Sequence, residues 1–280
     1  MIFFIIRILM SEIYNLSRRK FAYNFGCLCG ASLVLPSCTE VAISDRRQFN
    51  IYSDKYLYSQ TFSAFKRFKT ESKLITGTSD YTKLLKIGYN IRDAINAFYL
   101  HNNQKNPTDN FEWEFILIND DNIKNAWCMP GGKIAFYSGI LSVAKNEDGI
   151  ASIMGHEIAH AVARHSAERA STAMLADFGT IALETFVLGK SLPGGKYIRQ
   201  FGLDLPFNRS QETEADYLGL VFMSLAGYDV EESYKIWERM KESNSNNPAE
   251  FFSTHPSPDN RIRNLQKWIP IVSNKYPAIG

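Results

Sequence analysis

The feature that most constrains this chain is the pentad His156-Glu157-Ile158-Ala159-His160. In an α-helix, histidines four residues apart lie one turn apart on the same face, so both rings can reach a single cation. Two imidazoles and one carboxylate, with a fourth position open for water, form a typical zinc-ligand set. Glu157 lies about 100° around the helix from His156, where it can take a proton from that water. The pentad predicts a helix that binds one zinc ion, with Glu157 as the general base.

The third ligand is expected from a later segment, because Ala163 and Ser166 stand where an extended zinc motif would have glycine and histidine. Glu212 and Asp216 are four residues apart and share one face of a predicted helix. We therefore expect Glu212 to be the third ligand. Asp216 is predicted to accept a hydrogen bond from the far nitrogen of a liganding histidine. Glu214 points to another side of the helix, which favours an exposed surface position.

His165 follows the pentad and lies about 140° around the helix from His160. This position predicts either a surface residue or a hydrogen-bond partner behind a ligand. The competing interpretation of the whole pentad is an amphipathic helix whose histidines are satisfied core residues.

Four separated motifs resemble the HtpX- and BepA-like zinc metallopeptidases, which are related to the CAAX prenyl proteases. The resemblance covers about residues 45 to 270, and its motifs are the pentad with Arg164-His165, residues 210–216, residues 125–141, and Ser253-Thr254-His255-Pro256 followed by Arg261. It implies a gluzincin-type fold, one catalytic Zn²⁺ per chain and endopeptidase activity on proteins. The chain resembles the short, periplasmic lipoprotein type. The resemblance also implies that residues 133–137 form an edge strand that pairs with extended substrate.

The roles of His255 and Arg261 remain open at this level. His255 can be an ordinary helix-start residue before Pro256, a fourth zinc ligand that holds the enzyme inactive, or a hydrogen-bond donor to the oxyanion. The second and third roles predict opposite effects of His255→Ala, a gain and a loss of activity. The resemblance favours the inhibitory role. Arg261 either orients the site or stabilises local packing.

Hydrophobic patterning predicts a helix-rich α+β zincin domain with a small β-sheet next to the active-site helix. Helices are predicted over residues 51–100, 146–173, 210–226, 231–242 and 258–267, and strands over 111–118, 125–129 and 133–137. Apolar residues make up 45% of the chain, charged residues 21%, and the net charge is +2. This composition is that of a globular protein and gives no basic excess for binding nucleic acid.

The N-terminal residues predict export. A basic run at Arg18-Arg19-Lys20, an apolar stretch and a small-residue boundary are typical of a secretory signal, here with a twin-arginine-like pattern. Leu35-Pro36-Ser37-Cys38 is similar to a lipobox, so we expect a signal peptide over residues 1–37, lipidation of Cys38 and a single zinc metallopeptidase domain over residues 38–280. The predicted location is the periplasm, with the lipid as the only membrane anchor, inserted in the outer membrane. The alternatives are an uncleaved anchor, a true start at Met10, or a cytoplasmic peptidase with a misassigned start.

The expected function is zinc-dependent cleavage of misfolded or unassembled envelope proteins. The alternatives are a chaperone-like quality-control protein with a latent zinc site and a purely structural zinc protein. Glu157→Gln separates the first two, because a chaperone would tolerate the substitution and a protease would not.

Overall fold

In the computed structural model, the described residues are 38–41, 43–172, 208–243, 251, 255 and 258–279. The chain divides into two units, Met1–Cys38 and Thr39–Gly280, and the second contains the helices and the four-stranded sheet described here. The predicted signal peptide over residues 1–37 and the side chain of Cys38 lie outside the described residues. Within the described ranges, no helix is both long enough and apolar enough to span a membrane.

The strands form two small sheets. A two-stranded sheet pairs β1 (Cys38–Val41) with β2 (Arg46–Phe49), and we call these strands and the turn between them the N-terminal hairpin. The second sheet has the order β3-β4-β6-β5, with strands Leu74–Ile75, Glu114–Ile118, Lys133–Tyr137 and Ala126–Met129. In it β4 and β6 are parallel, and the other two pairings are antiparallel.

The prediction of Lys133–Tyr137 as an edge strand is wrong. β6 lies between β4 and β5, and the four-residue strand β5 forms the edge of the described sheet. A hairpin sequence predicts that two strands pair, but it does not say which of them pairs with a third strand. Here the parallel pairing of β4 with β6 decides that question.

Most of the described residues lie in helices. They are α1 (Asp54–Glu71), α2 (Ser79–His101), α3 (Ser138–Ala144), α4 (Glu147–Val162), α5 (described over residues 165–172), α6 (Arg209–Leu225), α7 (Glu232–Ser243) and α8 (Pro258–Lys275). Together with the mixed sheet beside α4, they confirm the predicted helix-rich α+β, zincin-like fold.

Two predicted helices are each two helices in the structure. The region over residues 51–100 is divided by β3, and each half begins with its own side-chain cap, from Ser53 and from Thr78. The helix predicted over residues 146–173 ends at Val162. Arg164 then has a left-handed backbone with φ of 56°, which breaks the helical hydrogen-bond ladder.

Close contact between α4 and α6 brings their functional faces together. A Cβ atom placed on Gly155 would lie 2.9 Å from the carbonyl oxygen of Gly219, and one on Gly219 would lie 2.9 Å from the backbone nitrogen of His156. The two helices can approach this closely because both positions lack a side chain. Apolar residues on either side of this crossing, including Met154, Ile158, Leu218 and Phe222, are almost fully buried.

Candidate active site

Helix α4 carries the pentad into the interior of the domain. Asn146 caps its first turn by accepting a hydrogen bond from the backbone of Gly149 at 2.7 Å. His156, Glu157 and His160 are each 5% exposed or less. Burial of three polar side chains on one helix requires partners for their polar atoms. Those partners come from α6, from His255, from His165 in α5 and from the backbone of Cys128 in β5.

Four side chains converge on one point. The Nε2 atoms of His156 and His160 are 3.1 Å apart, and Nδ1 of His255 lies 3.2 Å from Nε2 of His156. Oε1 of Glu212 lies 2.9 Å from Nδ1 of His255 and 3.4 Å from Nε2 of His160. One potential ligand atom from each of the four residues lies within 4.8 Å of the other three. The structure thus brings together all three predicted ligands and adds His255.

The chemistry of this cluster fits zinc. A tetrahedral site with zinc bonds of about 2.0–2.1 Å separates its ligand atoms by roughly 3.3 Å, close to the distances between these donors. Oε2 of Glu212 is buried and accepts no hydrogen bond within the described residues. Burial alone would raise the pKa of Glu212, but the neighbouring His255 and Arg261 hold it well below its usual value. Burial also lowers the pKa of His255 to about 4 and that of His160 well below its usual value, so these two imidazoles are neutral beside the carboxylate of Glu212.

Glu157 lies beside this cluster. Burial, followed by the negative charge of Glu212, raises the pKa of Glu157 well above its usual value. The backbone N–H of Cys128, in edge strand β5, donates to its carboxylate. Oε1 of Glu157 accepts no hydrogen bond within the described part of the chain and lies 3.5 Å from Nε2 of His255. This oxygen faces the cluster and can accept a proton there.

Asp216 and Arg261 contact two of the clustered side chains, His156 and Glu212, on their outer sides. Oδ1 of Asp216 lies 3.2 Å from Nδ1 of His156, the far nitrogen of that ring. Arg261 donates to both oxygens of Asp216, at 2.5 and 2.7 Å, and its Nη1 lies 2.6 Å from Oε2 of Glu212 without hydrogen-bond geometry. Its guanidinium also stacks 3.5 Å above the centre of the Trp237 ring. Of the two roles left open for Arg261, these contacts match the orienting one.

Glu214 does not lie on the surface, and the prediction that it is exposed is wrong. It is 6% exposed and accepts hydrogen bonds from His165, Arg46 and Ser44. His165 is fully buried, with Nδ1 2.8 Å from Nδ1 of His160. A helical wheel places Glu214 on a different face of the helix from Glu212 and Asp216. It does not show that other elements of the fold cover the face that carries Glu214.

Two aromatic rings that sequence reasoning missed cover the histidines. Phe251 stacks on His255 with ring centres 4.3 Å apart, and the Trp237 ring centre lies 6.0 Å from that of His156. The spacing of four between Phe251 and His255 is a weak signal for this contact, because ordinary core residues often have the same spacing. No sequence signal connects Trp237 to the pentad.

The curated relatives are metallopeptidases. The chain is 34% identical over 257 residues to the mitochondrial metalloendopeptidase OMA1 of Schizosaccharomyces pombe, covering 90% of this chain and 73% of that protein. It is 40% identical over 179 residues to OMA1 of Saccharomyces cerevisiae, with 60% and 50% covered. The beta-barrel assembly-enhancing protease of Escherichia coli is 29% identical over 163 residues, with 54% and 33% covered. The chain therefore spans most of one relative and half or less of the other two.

These relatives correct the predicted location. The fungal relatives are mitochondrial by name, so the prediction of an exported, periplasmic protein anchored to the outer membrane is wrong. That prediction rested on a basic run, an apolar stretch and a small-residue boundary similar to a lipobox. Mitochondrial targeting segments are also basic and poor in acidic residues, so this composition does not identify a bacterial export signal.

The region containing the zinc-binding cluster is also the part of the chain that matches a known family. Residues 90–269 match Peptidase family M48, and this range includes the pentad, Glu212, His255 and Arg261. The match agrees with the buried group of three histidines and one glutamate that can hold a single metal ion. The chain belongs to Peptidase family M48 and is a zinc-dependent metalloendopeptidase.

Proposed function

We propose that this metalloendopeptidase hydrolyses peptide bonds with zinc held by His156, His160 and Glu212 and with Glu157 as the general base. The observation that carries the proposal is the convergence of these ligand atoms, with His255, within 4.8 Å in the buried interior. When bound there, zinc supplies Lewis acidity that lowers the pKa of a bound water toward about 7 and polarises a scissile carbonyl.

Glu157 is the residue that accepts and donates the proton. The backbone N–H of Cys128 donates to its carboxylate, and its oxygen Oε1, which has no hydrogen-bond partner among the described residues, faces the cluster. The ionised carboxylate of Glu157 can take a proton from the attacking water. Burial favours the protonated carboxyl that results, which holds the proton until the amine departs. Glu157 then donates that proton to the leaving nitrogen.

Asp216 and Arg261 position the ligands. An ionised Asp216 can accept a hydrogen bond donated from Nδ1 of His156, which leaves the Nε2 lone pair of that ring for the metal. Arg261 lies 3.2 Å from the same Nδ1. Arg261 pairs with Asp216 and neutralises part of the charge of Glu212. Both are positioning residues that act through the ligands.

The substrate is an unfolded segment of a protein, bound as an extended strand along β5. This strand forms one of the two edges of the described four-stranded sheet, and its residue Cys128 contacts Glu157. Backbone pairing along an edge strand gives affinity with little dependence on sequence. The Escherichia coli relative is named for enhancing beta-barrel assembly, and we therefore propose unfolded or misassembled membrane-associated proteins as the natural substrates.

His255 keeps the enzyme latent by serving as a fourth ligand. Its Nδ1 lies 3.2 Å from Nε2 of His156 and 2.9 Å from Oε1 of Glu212, which is the spacing expected between ligands of one zinc ion. A fourth protein ligand closes the position that the reacting water needs. Activation then requires His255 to leave the cluster.

Cleavage of unfolded β-casein by the zinc-loaded full chain tests this proposal. His255→Ala should cleave faster than the parent by roughly tenfold or more, since opening a fourth ligand position exposes the metal to water. His101→Ala is the matched control, because His101 is exposed and lies in α2, well before the pentad in the sequence. This substitution should leave the rate unchanged. A folded protein should be cleaved much more slowly than casein.

Two outcomes would contradict the proposal. Slower cleavage by His255→Ala than by the parent would contradict the latent state, and binding of casein without cleavage by both forms would contradict the protease mechanism.

A further inference from the structure

A line of buried groups extends from His160 away from the zinc-binding cluster. Nδ1 of His160 lies 2.8 Å from Nδ1 of His165, and Nε2 of His165 lies 2.8 Å from Oε2 of Glu214. His160 and Glu214 are 2% and 6% exposed, and His165 is fully buried. With so little solvent, the polar atoms of the three groups need partners within the protein, and these two contacts supply part of them.

The chemistry of these groups fixes the direction of every hydrogen bond in the line. Arg46 and Ser44 both donate to Glu214, so its carboxylate is the acceptor for His165 as well and Nε2 of His165 donates. A His165 ring that carries this one proton then has only an acceptor at Nδ1. His160 must donate from its own Nδ1, and its Nε2 lone pair is left to face Glu212 and His156. This is the tautomer that a metal ligand needs.

The carboxylate of Glu214, at the far end of this line from His160, is held by the N-terminal hairpin. Nε of Arg46 donates to Oε2 of Glu214 at 2.5 Å, and the Ser44 hydroxyl donates to Oε1. The other two guanidinium nitrogens of Arg46 bind both oxygens of Glu168, at 2.7 and 2.9 Å. Gln211 donates to Glu168 as well, at 2.8 Å. Arg46 thereby ties the hairpin to α5 and α6 at the carboxylate that orients His165.

We propose that the N-terminal hairpin is a working part of the metal site, in which Arg46 and Ser44 set the orientation of His160 through Glu214 and His165. All four are positioning residues, because none of them touches the cluster of ligand atoms except through His160. The hairpin lies outside residues 90–269, the part of the chain that matches the family. The inference rests on the proposed function in one respect, the assignment of His160 as a zinc ligand.

A purely structural hairpin makes a different prediction. If Arg46 only fastens the hairpin to α5 and α6, its loss lowers the free energy of unfolding of the metal-free chain and leaves the zinc affinity of the folded chain unchanged. If the hairpin orients His160, its loss also weakens zinc binding by the folded chain, because the ring must be reoriented on binding.

The test measures the zinc dissociation constant of the folded full chain by competition with a chromophoric chelator. Arg46→Gln removes the charge that holds Glu214, and Arg47→Gln, at the exposed neighbour in the same strand, is the matched control. We expect about tenfold weaker binding for Arg46→Gln, within the range typical of groups that support a metal ligand, and no change for Arg47→Gln. Equal affinities for the two variants, with a less stable metal-free Arg46→Gln chain, would overturn the proposal in favour of a structural hairpin.

A second pair of variants tests His165 directly. A glutamine amide carries an acceptor and a donor, as the neutral imidazole does, so His165→Gln can accept from His160 and donate to Glu214. We expect His165→Gln to bind zinc within a few-fold of the parent and His165→Leu to bind roughly 10- to 100-fold more weakly. Parental affinity in His165→Leu would overturn the proposal. Should the metal-free His165→Leu chain not fold, Ser44→Ala and Arg46→Gln decide the question, since both substitutions lie in the partly exposed hairpin.

Failure of this inference and failure of the proposed function give different results. If the parent chain does not bind one zinc ion, or if His160→Ala binds it equally well, the proposed ligand set is wrong. If the parent binds zinc through His160 and all hairpin variants bind it equally tightly, only the role of the hairpin is wrong.

Discussion

At the scale of single residues, Glu168 illustrates how this chain stabilises charge near its centre. Burial alone would raise the pKa of Glu168, but hydrogen bonds from Arg46 and Gln211 and the positive charge of Arg46 outweigh burial. The pKa of Glu168 therefore lies below its usual value of 4.5. A carboxylate with a lowered pKa stabilises the folded state above pH 4.5, and this stabilisation is lost as the pH falls through the folded-state pKa.

We expect Glu168→Gln to remove most of this pH-dependent stability. At about pH 7 the free energy of unfolding of the variant should be about 1.5 kcal/mol lower than that of the parent, the low end of the range for hydrogen bonds to a charged group, because Glu168 is only partly buried. Urea unfolding curves of the zinc-free chains at several pH values measure the difference, which should shrink toward about pH 3. Glu71→Gln, at an exposed glutamate, is the control. A difference between Glu168→Gln and the parent that stays constant with pH would contradict the assigned charge state.

The residue scale also marks how far the sequence could predict the site. Two spacings of four, between His156 and His160 and between Glu212 and Asp216, predicted the residues that the structure brings together. The partners of Glu214 on the N-terminal hairpin, Ser44 and Arg46, could not be predicted, because they lie more than 100 residues earlier in the sequence. A helical period describes one helix and carries no information about what covers its other faces.

At the scale of elements, the contact between α4 and α6 sets the distance between the histidines and Glu212. The two backbones meet at Gly155 and Gly219, where an added Cβ atom would lie 2.9 Å from backbone atoms of the opposite helix. Backbone atoms cannot rotate away as a flexible side chain can. A side chain at this crossing must therefore move the helices apart.

Gly219→Ala tests this view of the crossing. We expect the metal-free variant to lose about 1–3 kcal/mol of unfolding free energy, the usual cost of overpacking a core, although alanine favours a helix more than glycine does. The same variant should bind zinc more weakly, because Glu212 and Asp216 move with α6. Thr213→Ala, at an exposed position of the same helix, should change neither property. Unchanged stability together with unchanged zinc affinity in Gly219→Ala would show that the helix spacing does not control the site.

The elements themselves were predicted with uneven success for physical reasons. α6 and α7 begin and end within one or two residues of their predicted limits, since capping residues and turns mark these positions. The break at Arg164 was missed because nothing in an alanine-rich, polar segment signals a left-handed residue. The place of β6 in the middle of the sheet was missed because strand order depends on long-range pairing.

At the scale of the whole molecule, folding and zinc binding should be linked. The proposed ligands come from α4, from α6 and from His255, so an intact site requires the fold that brings them together. Zinc should therefore stabilise the folded chain by mass action, by about 4 kcal/mol at a free zinc concentration one thousand times the dissociation constant.

Removal of zinc tests this linkage. A chelator should lower the unfolding temperature of the parent chain substantially and that of His156→Ala only slightly, because the variant has already lost a ligand. Differential scanning calorimetry with and without chelator measures both shifts. Equal shifts in the parent and in His156→Ala would mean that the stabilising metal binds elsewhere in the chain.

The central claim is that Glu157 performs proton transfer at a zinc ion that other residues hold. The most direct test measures zinc content and casein cleavage together in the full chain and in Glu157→Gln, both in the His255→Ala background that opens the site. We predict one zinc ion per chain in both forms and a loss of cleavage in Glu157→Gln of about 10²–10⁴-fold or more, the usual contribution of a general acid–base group. Cleavage by zinc-loaded Glu157→Gln at the rate of its His255→Ala parent would contradict the role of Glu157 as the general base.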